Sequence, residues 1–422
     1  MSQMHEVRSL ERWKDYKNVV LDYDDFLELS SLEGEKLYSL NVKNKFLDLL
    51  VRIKKGAPIV ILFHGAVPRP EGFKAPVFSG LNIVDDSFSR ILISDPCLLE
   101  SDELTLGWFC GTKDIPLQKL LPAVLKKIFD ISNPSKIIFA GGSGGGFASL
   151  FYSSFFKNSY VIASNPQIDI TNYYSNHVKR YAHHSWRSDI KDLNEYITKD
   201  VSDLYAQHSN TVLYIQNESD SFHIENHCKP FLEKIAGNKG FEKKERLINC
   251  YFYYKIAYWG DGHVGPPPIY WKSLIKYLAL YDGESDQVFK SQKFYDLLSE
   301  AEAAHIDALE ERAHENYSKG ELEKALLLLK RYFKTVDIPS VRMCILSLNL
   351  SYKLRDELLL DYYFECSKKY YPNGWALGYC YSLNMKRLGN FSKAIEALEN
   401  INIVFKEKVP QPVIDMLKKL KG

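Results

Sequence analysis

The chain has 422 residues, a formal net charge of +1, 45% hydrophobic and 25% charged residues, a balance that suits a globular protein of two or three domains needing no disulfide or metal staple. Charge so near neutrality argues against a nucleic-acid binder or a polybasic membrane anchor, since both rely on concentrated positive charge. Seven cysteines (Cys97, Cys110, Cys228, Cys250, Cys344, Cys366 and Cys380) are odd in number and lack a CxxC pair, which argues against a disulfide framework or a zinc ribbon.

The opening MSQMHEVRSLERWKDYK is charged throughout and lacks the apolar stretch of a signal peptide. No later run reaches the ~20 apolar residues that cross a bilayer, so a cytoplasmic protein without a membrane span is expected. Short β-rich runs follow at Val19–Tyr23, Leu37–Val42, Ile59–Phe63, Arg90–Ser94, Lys136–Ala140, Tyr160–Ala163, Thr211–Gln216 and Cys250–Ala257. Runs such as PIVILF and KIIFA are almost wholly apolar, as strands buried on both faces of a mostly parallel sheet must be. Helical patterns lie between them, for example Leu117–Asp130 and Gly145–Phe156. The alternation predicts a doubly wound α/β domain over residues 1–285.

Beyond LYDGESDQ the strand runs and Pro fade, and amphipathic patterns of Leu, Ala, Glu and Lys predict an all-α domain over residues 286–422. Two segments there, Gly320-Glu-Leu-Glu-Lys-Ala325 and Gly389-Asn-Phe-Ser-Lys-Ala394, stand 389 − 320 = 69 residues apart, with room for a degenerate middle unit near Leu354-Arg355-Asp356. A period near 34 resembles tetratricopeptide repeats, although the typical Trp and Pro positions are mostly missing.

The segment KIIFAGGSGGGFASL carries the strongest chemical signal. A strand run ends at Ala140, Gly141-Gly142-Ser143-Gly144-Gly145 fits G-x-S-x-G, and a helical pattern begins at once. Strand, sharp turn and helix make this a nucleophile elbow that lifts the Ser143 hydroxyl to the edge of the sheet. The competing reading is a phosphate-binding glycine loop. Against it, no Lys-[Ser/Thr] follows the glycines, and no acidic residue closes a strand about 20 residues on.

A serine hydroxyl needs a base, and the base needs an orienting acid. The run TVLYIQ is followed by Asn217-Glu218-Ser219-Asp220, and YFYYKIAYW leads into Gly260-Asp261-Gly262-His263-Val264-Gly265-Pro-Pro-Pro268. The order Ser143, Asp220, His263 is the one expected with this elbow, with Glu218 as the alternative acid and Asp261 as a turn former. Gly144, directly after the nucleophile, is one candidate oxyanion donor. The second is Gly65 or Ala66, in the His64-Gly65-Ala66 turn that closes PIVILF, with His64 fixing that loop.

On these motifs, residues 55–280 resemble the α/β-hydrolase superfamily. More narrowly, GGSGGGFASL, SNPQIDI, ESDSFHIENH and WGDGHVGPPP resemble a branch of bacterial proteins associated with capsule and other surface-polysaccharide synthesis, which includes O-acetyltransferases using the same triad. The resemblance implies an esterase or an O-acetyltransferase acting on a surface glycan, with acetyl-coenzyme A as a candidate donor. No coenzyme A motif is readable and no cofactor is expected.

The insertion from Asn165 to Gln207 is thick with Tyr, His and Trp. Asn165, Gln167, Tyr174, Trp186 and the nearby His223 are the candidate substrate contacts of a glycan acceptor, against the alternative that the aromatics only pack a lid. His223 and His227 have i, i+4 spacing but lack the Glu placement of HExxH, so no metal is expected. From a different class comes a scaffold: a structural hydrolase fold whose helical repeats hold a protein partner of polysaccharide synthesis.

Overall fold

The structure, a computed structural model, describes residues 7–205, 210–236 and 245–421. The head of the charged opening segment and Gln207, the expected end of the aromatic insertion, lie outside the described residues. Among the described residues ten strands form one sheet: β1 (Lys17–Asp22), β2 (Gly34–Val42), β3 (Lys45–Ile53), β4 (Ile59–Phe63), β5 (Ser89–Ile93), β6 (Ile137–Gly142), β7 (Tyr160–Ser164), β8 (Thr211–Asn217), β9 (Glu245–Asn249) and β10 (Phe252–Ala257). Their order is β1-β2-β3-β5-β4-β6-β7-β8-β10-β9. From β5 to β10 neighbouring strands are parallel, whereas β3 runs antiparallel to both β2 and β5, and β9 antiparallel to β10. The sheet is thus mostly parallel, broken by the antiparallel β3 and by β9 at one edge.

Two of these strands are absent from the sequence reading. In β3 the charged residues Asp48 and Arg52 interrupt the apolar run, yet both are buried. Asp48 accepts from Arg8 Nη2 at 2.7 Å and from Ser39 Oγ on β2 at 2.7 Å, so its charge is paired by a residue 40 positions away. Strand β9 lies at the sheet edge with only two adjacent apolar residues, Leu247 and Ile248, between polar ends, too few to form an apolar run.

Alternate residues of each central strand feed opposite faces, as strand geometry requires. On β4, Ile59, Ile61 and Phe63 join one apolar core, with the helices Leu117–Ser132 and Gly144–Ser153. Val60 and Leu62 join the other, beneath the helix Pro268–Leu280. Between β4 and β6 the order reverses, since the chain leaves β4 for β5 on one side and continues to β6 on the other. Such a reversal opens a crevice at the carboxyl ends of the two strands, where ligands of open α/β sheets bind.

The insertion between β7 and β8 is a chain of short helical turns, including Ser175–Tyr181 and a π-helical turn Ala182–Trp186. Its second half packs inward. Tyr181 is fully buried with its hydroxyl on Gly111 O at 2.8 Å, and Trp186 donates its indole N–H to that hydroxyl at 2.9 Å while stacking on Tyr196.

The chain divides into two compact units at Ala301/Glu302 rather than at 285/286. Composition shifts earlier, but Val288, Phe289, Phe294 and Leu298 pack with Tyr253 and Tyr277 in the core beneath Pro268–Leu280. The Tyr277 hydroxyl also donates to Val288 O at 2.7 Å. The second unit is all helical and has its own core. Gly320, Arg355 and Gly389 end three of its helices with left-handed φ of +78°, +56° and +90°, at spacings of 35 and 34 residues. In each, the following residue donates to the carbonyl five residues back (Glu321 to Asn316, Asp356 to Ser351, Asn390 to Met385), the pattern of a Schellman cap. Arg355 thus occupies in the degenerate unit the position that glycine holds in the other two.

Gly389→Ala adds a Cβ in open space, so its cost is the left-handed backbone alone, about 1–2 kcal/mol by urea unfolding. Trp186→Ala removes a buried, hydrogen-bonded ring and is expected to cost ~3–5 kcal/mol; a loss below 1 kcal/mol would mean that the ring is not part of the core.

Candidate active site

The Ser143 backbone takes φ 58° and ψ −122° between β6 and the helix Gly144–Ser153. A non-glycine residue there is strained, and the surroundings must hold it. The flanking glycines make that holding feasible. A Cβ on Gly145 would lie 2.3 Å from the Phe63 carbonyl oxygen, and one on Gly141 would lie 2.3 Å from the Gly145 carbonyl oxygen. The elbow therefore sits directly on the end of β4. The Ser143 N–H is anchored on Ser164 O at 2.8 Å.

The loop after β4 runs beside the elbow, since a Cβ on Gly65 would lie 3.2 Å from Gly142 O and 3.5 Å from Ser143 Cβ. Among the described residues, the N–H groups of Gly65, Ala66 and Gly144 donate no hydrogen bond. His64 holds this loop. Its Nδ1 donates to Gly65 O at 2.7 Å, so its Nε2 is the acceptor for Asp95 N–H at 3.2 Å. Burial lowers its pKa, consistent with a neutral ring.

Asp220 follows β8 and is buried. Its Oδ2 meets His263 Nδ1 at 2.5 Å, and its Oδ1 meets His223 Nδ1 at 3.0 Å and accepts the His223 backbone N–H at 3.3 Å. Burial alone would raise the Asp220 pKa, but hydrogen bonds and charge from His223 and His263 outweigh it and hold the carboxyl well below the usual range. The two imidazoles stack at 3.9 Å between centroids, 18° apart in plane. His223 is buried, and burial, with His263 beside it, lowers its pKa against the pull of Asp220. Glu218, the alternative acid, is exposed, and Asp261 accepts from Tyr258.

Gln167 joins these groups to the serine. Trp108 Nε1 donates to its Oε1 at 2.5 Å. An indole can only donate, so the amide orientation is settled and Nε2 faces the site as a donor. That nitrogen lies 3.1 Å from Ser143 Oγ and 3.4 Å from His223 Nε2. Both therefore accept, and the chain of protons runs without conflict from Trp108 through Gln167 and His223 to Asp220. Among the described hydrogen bonds, none joins Ser143 Oγ directly to His263.

The histidine loop is clamped by Asn217 and Ser219, to which the sequence reading gave no role, and by Asn165, which it took for a substrate contact. Asn217 Nδ2 donates to Gly260 O at 2.8 Å and Gly262 O at 2.6 Å, Ser219 Oγ donates to Gly260 O at 2.6 Å, and Ser219 Oγ accepts Gly262 N–H at 2.9 Å. Asn165 donates to Val264 O at 3.0 Å and accepts Asn217 N–H at 2.6 Å. For Asn217 and Ser219, polar residues at the end of an apolar strand were the only sequence signal.

Of the candidate substrate contacts, Asn165, Gln167, Trp186 and His223 are 2%, 0%, 5% and 1% exposed. Asn165 holds the histidine loop, Gln167 and His223 belong to the buried polar chain, and Trp186 fills the core of the insertion. Tyr174 differs: it is 49% exposed and stacks on Phe222 at 4.1 Å, with Phe222 packed against His223 at 5.4 Å. Asp220, His223 and His263 also form the single group of three metal-capable side chains among the described residues. Both histidine Nδ1 atoms are committed to the carboxylate, which is the geometry of an orienting acid.

No described helix is long and apolar enough to cross a membrane. No protein-family model matches the chain, and no curated protein does. Among solved structures, it is similar to the capsule O-acetyltransferase of Neisseria meningitidis serogroup A, at 14% identity and a TM-score of 0.37 over 57% of this chain and 96% of that one. It is likewise similar to an acylaminoacyl peptidase of Pyrococcus horikoshii, at 14% identity and 0.40 over 63% of this chain and 45% of that one. A third, dipeptidyl peptidase 4 of Porphyromonas gingivalis, matches at 13% and 0.37 over 63% of this chain and 35% of that one.

Proposed function

We propose that the first unit is a serine acyl-transfer enzyme, an esterase or an O-acetyltransferase, with Ser143 as nucleophile, His263 as base and Asp220 as orienting acid. The observation that carries this reading is the 2.5 Å contact of Asp220 with His263 Nδ1, on a carboxylate that His223 and Gln167 link by hydrogen bonds to the left-handed Ser143. With Nδ1–H fixed on the carboxylate, Nε2 is left as the basic nitrogen, the tautomer a general base requires. Apo sites commonly lack the serine–histidine hydrogen bond and close it when substrate binds.

In the proposed reaction Ser143 Oγ adds to an ester or thioester carbonyl while His263 takes its proton. Gly144 N–H and the N–H of Gly65 or Ala66 face the developing oxyanion, a contribution worth ~10²–10³ in rate per donor. The carbonyl re-forms, His263 returns the proton to the leaving group, and water or a sugar hydroxyl then takes the acyl group from Ser143. Sugar acceptors fit the exposed Tyr174–Phe222 stack, since aromatic faces pack against the apolar faces of pyranose rings. A surface glycan is the acceptor implied by the sequence resemblance, and acetyl-coenzyme A the donor.

A fluorophosphonate probe tests the nucleophile. Labelling of the wild type that vanishes in Ser143→Ala is expected, and a folded wild type that takes no label would return the chain to the scaffold reading. On a nitrophenyl acetate, Asp220→Asn is expected to lose ~10⁴ in kcat, whereas Glu218→Gln stays within threefold; the reverse pattern would transfer the role to Glu218. Tyr174→Ala is expected to raise the KM for a glycan acceptor several-fold at unchanged thermal stability, and an unchanged KM would remove it from the acceptor surface.

A further inference from the structure

Gln167 is fully buried and a polar amide there must be satisfied on both ends. Its oxygen is satisfied by Trp108, its nitrogen lies within hydrogen-bond reach of Ser143 Oγ and His223 Nε2, and the Tyr173 hydroxyl is a further partner of the amide. A purely structural amide would have no need to spend a donor on the one hydroxyl that the elbow strains into the crevice. We infer that Gln167 is a further catalytic residue, donating its Nε2–H to Ser143 Oγ while charge builds on that oxygen, and that His223 holds the amide in place from its carboxylate anchor on Asp220. The inference deepens the acyl-transfer reading and rests on it.

In attack, the Oγ–H bond breaks, its proton goes to His263 Nε2, the Oγ–C bond forms and the carbonyl π pair moves to the carbonyl oxygen. In release of the acyl group, the Oγ–C bond breaks, its electron pair returns to Oγ and His263 supplies the proton. Oγ is more negative in both transition states than in the resting hydroxyl or the ester. The Gln167 N–H is never transferred, and its hydrogen bond strengthens only while that charge is present, which is the condition for raising kcat rather than lowering KM. It differs from the oxyanion donors of Gly65, Ala66 and Gly144 because it serves the nucleophile oxygen. His223 suits its own part by being neutral: surrounded by Asp220, His263, His227 and Tyr173, it presents an unprotonated Nε2 to the second amide hydrogen.

The test uses the full chain and two probes, a fluorophosphonate and a nitrophenyl acetate. Gln167→Met keeps length but not the donor, and is expected to lower the labelling rate and kcat ~10²-fold with KM within twofold. Gln167→Glu keeps the shape and turns an acceptor on Oγ at neutral pH, so it is expected to lose at least as much; it carries the test alone if Gln167→Met does not fold by circular dichroism. His223→Phe keeps the ring stack on His263, and combined with Gln167→Met it is expected to lose less than the product of the two single losses, because the pair acts through one amide. A folded Gln167 variant that labels within threefold of a labelled wild type, a loss confined to KM, or fully multiplicative losses would overturn the inference while leaving Ser143 as the nucleophile. An unlabelled wild type would instead overturn the acyl-transfer reading itself.

Discussion

One buried carboxylate organises the crevice. Burying Asp220 costs free energy unless its charge is met, and three donors meet it, two of them imidazole N–H groups on opposite oxygens. That sharing fixes the tautomer of both rings. Fixing His223 as an Nε2 acceptor is what lets the Gln167 amide bridge to Ser143, and His263 meets the same carboxylate through Nδ1, which leaves its Nε2 outside that contact. Removing the carboxylate would unsettle both branches at once.

The sheet supplies the other half of the arrangement. Reversal of strand order between β4 and β6 brings the His64–Ala66 loop against the elbow, and glycines at 141 and 145 allow backbone contacts that any Cβ would block. The strained Ser143 conformation is therefore held by close packing of main chain on main chain rather than by side chains that could relax. Asn217, Ser219 and Asn165 do the same for the histidine loop, tying its carbonyls to the ends of β7 and β8. A loop rich in glycine and proline is thereby made rigid enough to place one imidazole.

What was legible in the sequence is what local chemistry encodes. The elbow announces itself because the residues that permit the turn are adjacent to the residue it presents, and His263 and Asp220 follow from their places after strands. The buried partnerships were not legible. Gln167 and His223 are 24 and 80 residues from Ser143, and nothing near either residue specifies that they meet beside it; read locally, a Gln and a His near a pocket look like substrate contacts. Strand β3 was hidden for the same reason, since the partner that makes Asp48 acceptable inside a sheet is Arg8, 40 residues earlier. The unit boundary moved because composition changes before packing does, with Val288, Phe289 and Phe294 still serving the first core. In the helical unit the 34-residue period was readable from two glycines, and Arg355 completed it at a position where sequence alone shows no glycine.

The central claim is that Ser143 forms a covalent acyl-enzyme. Mass spectrometry of peptides after brief incubation with an activated acetyl ester and acid quenching measures it directly. An acetyl group on the peptide bearing Ser143, lost in Ser143→Ala and strongly reduced in Asp220→Asn, is the expected result. Turnover of the ester by folded protein with Ser143 unmodified, or acetylation that persists elsewhere when Ser143 is replaced, would contradict it.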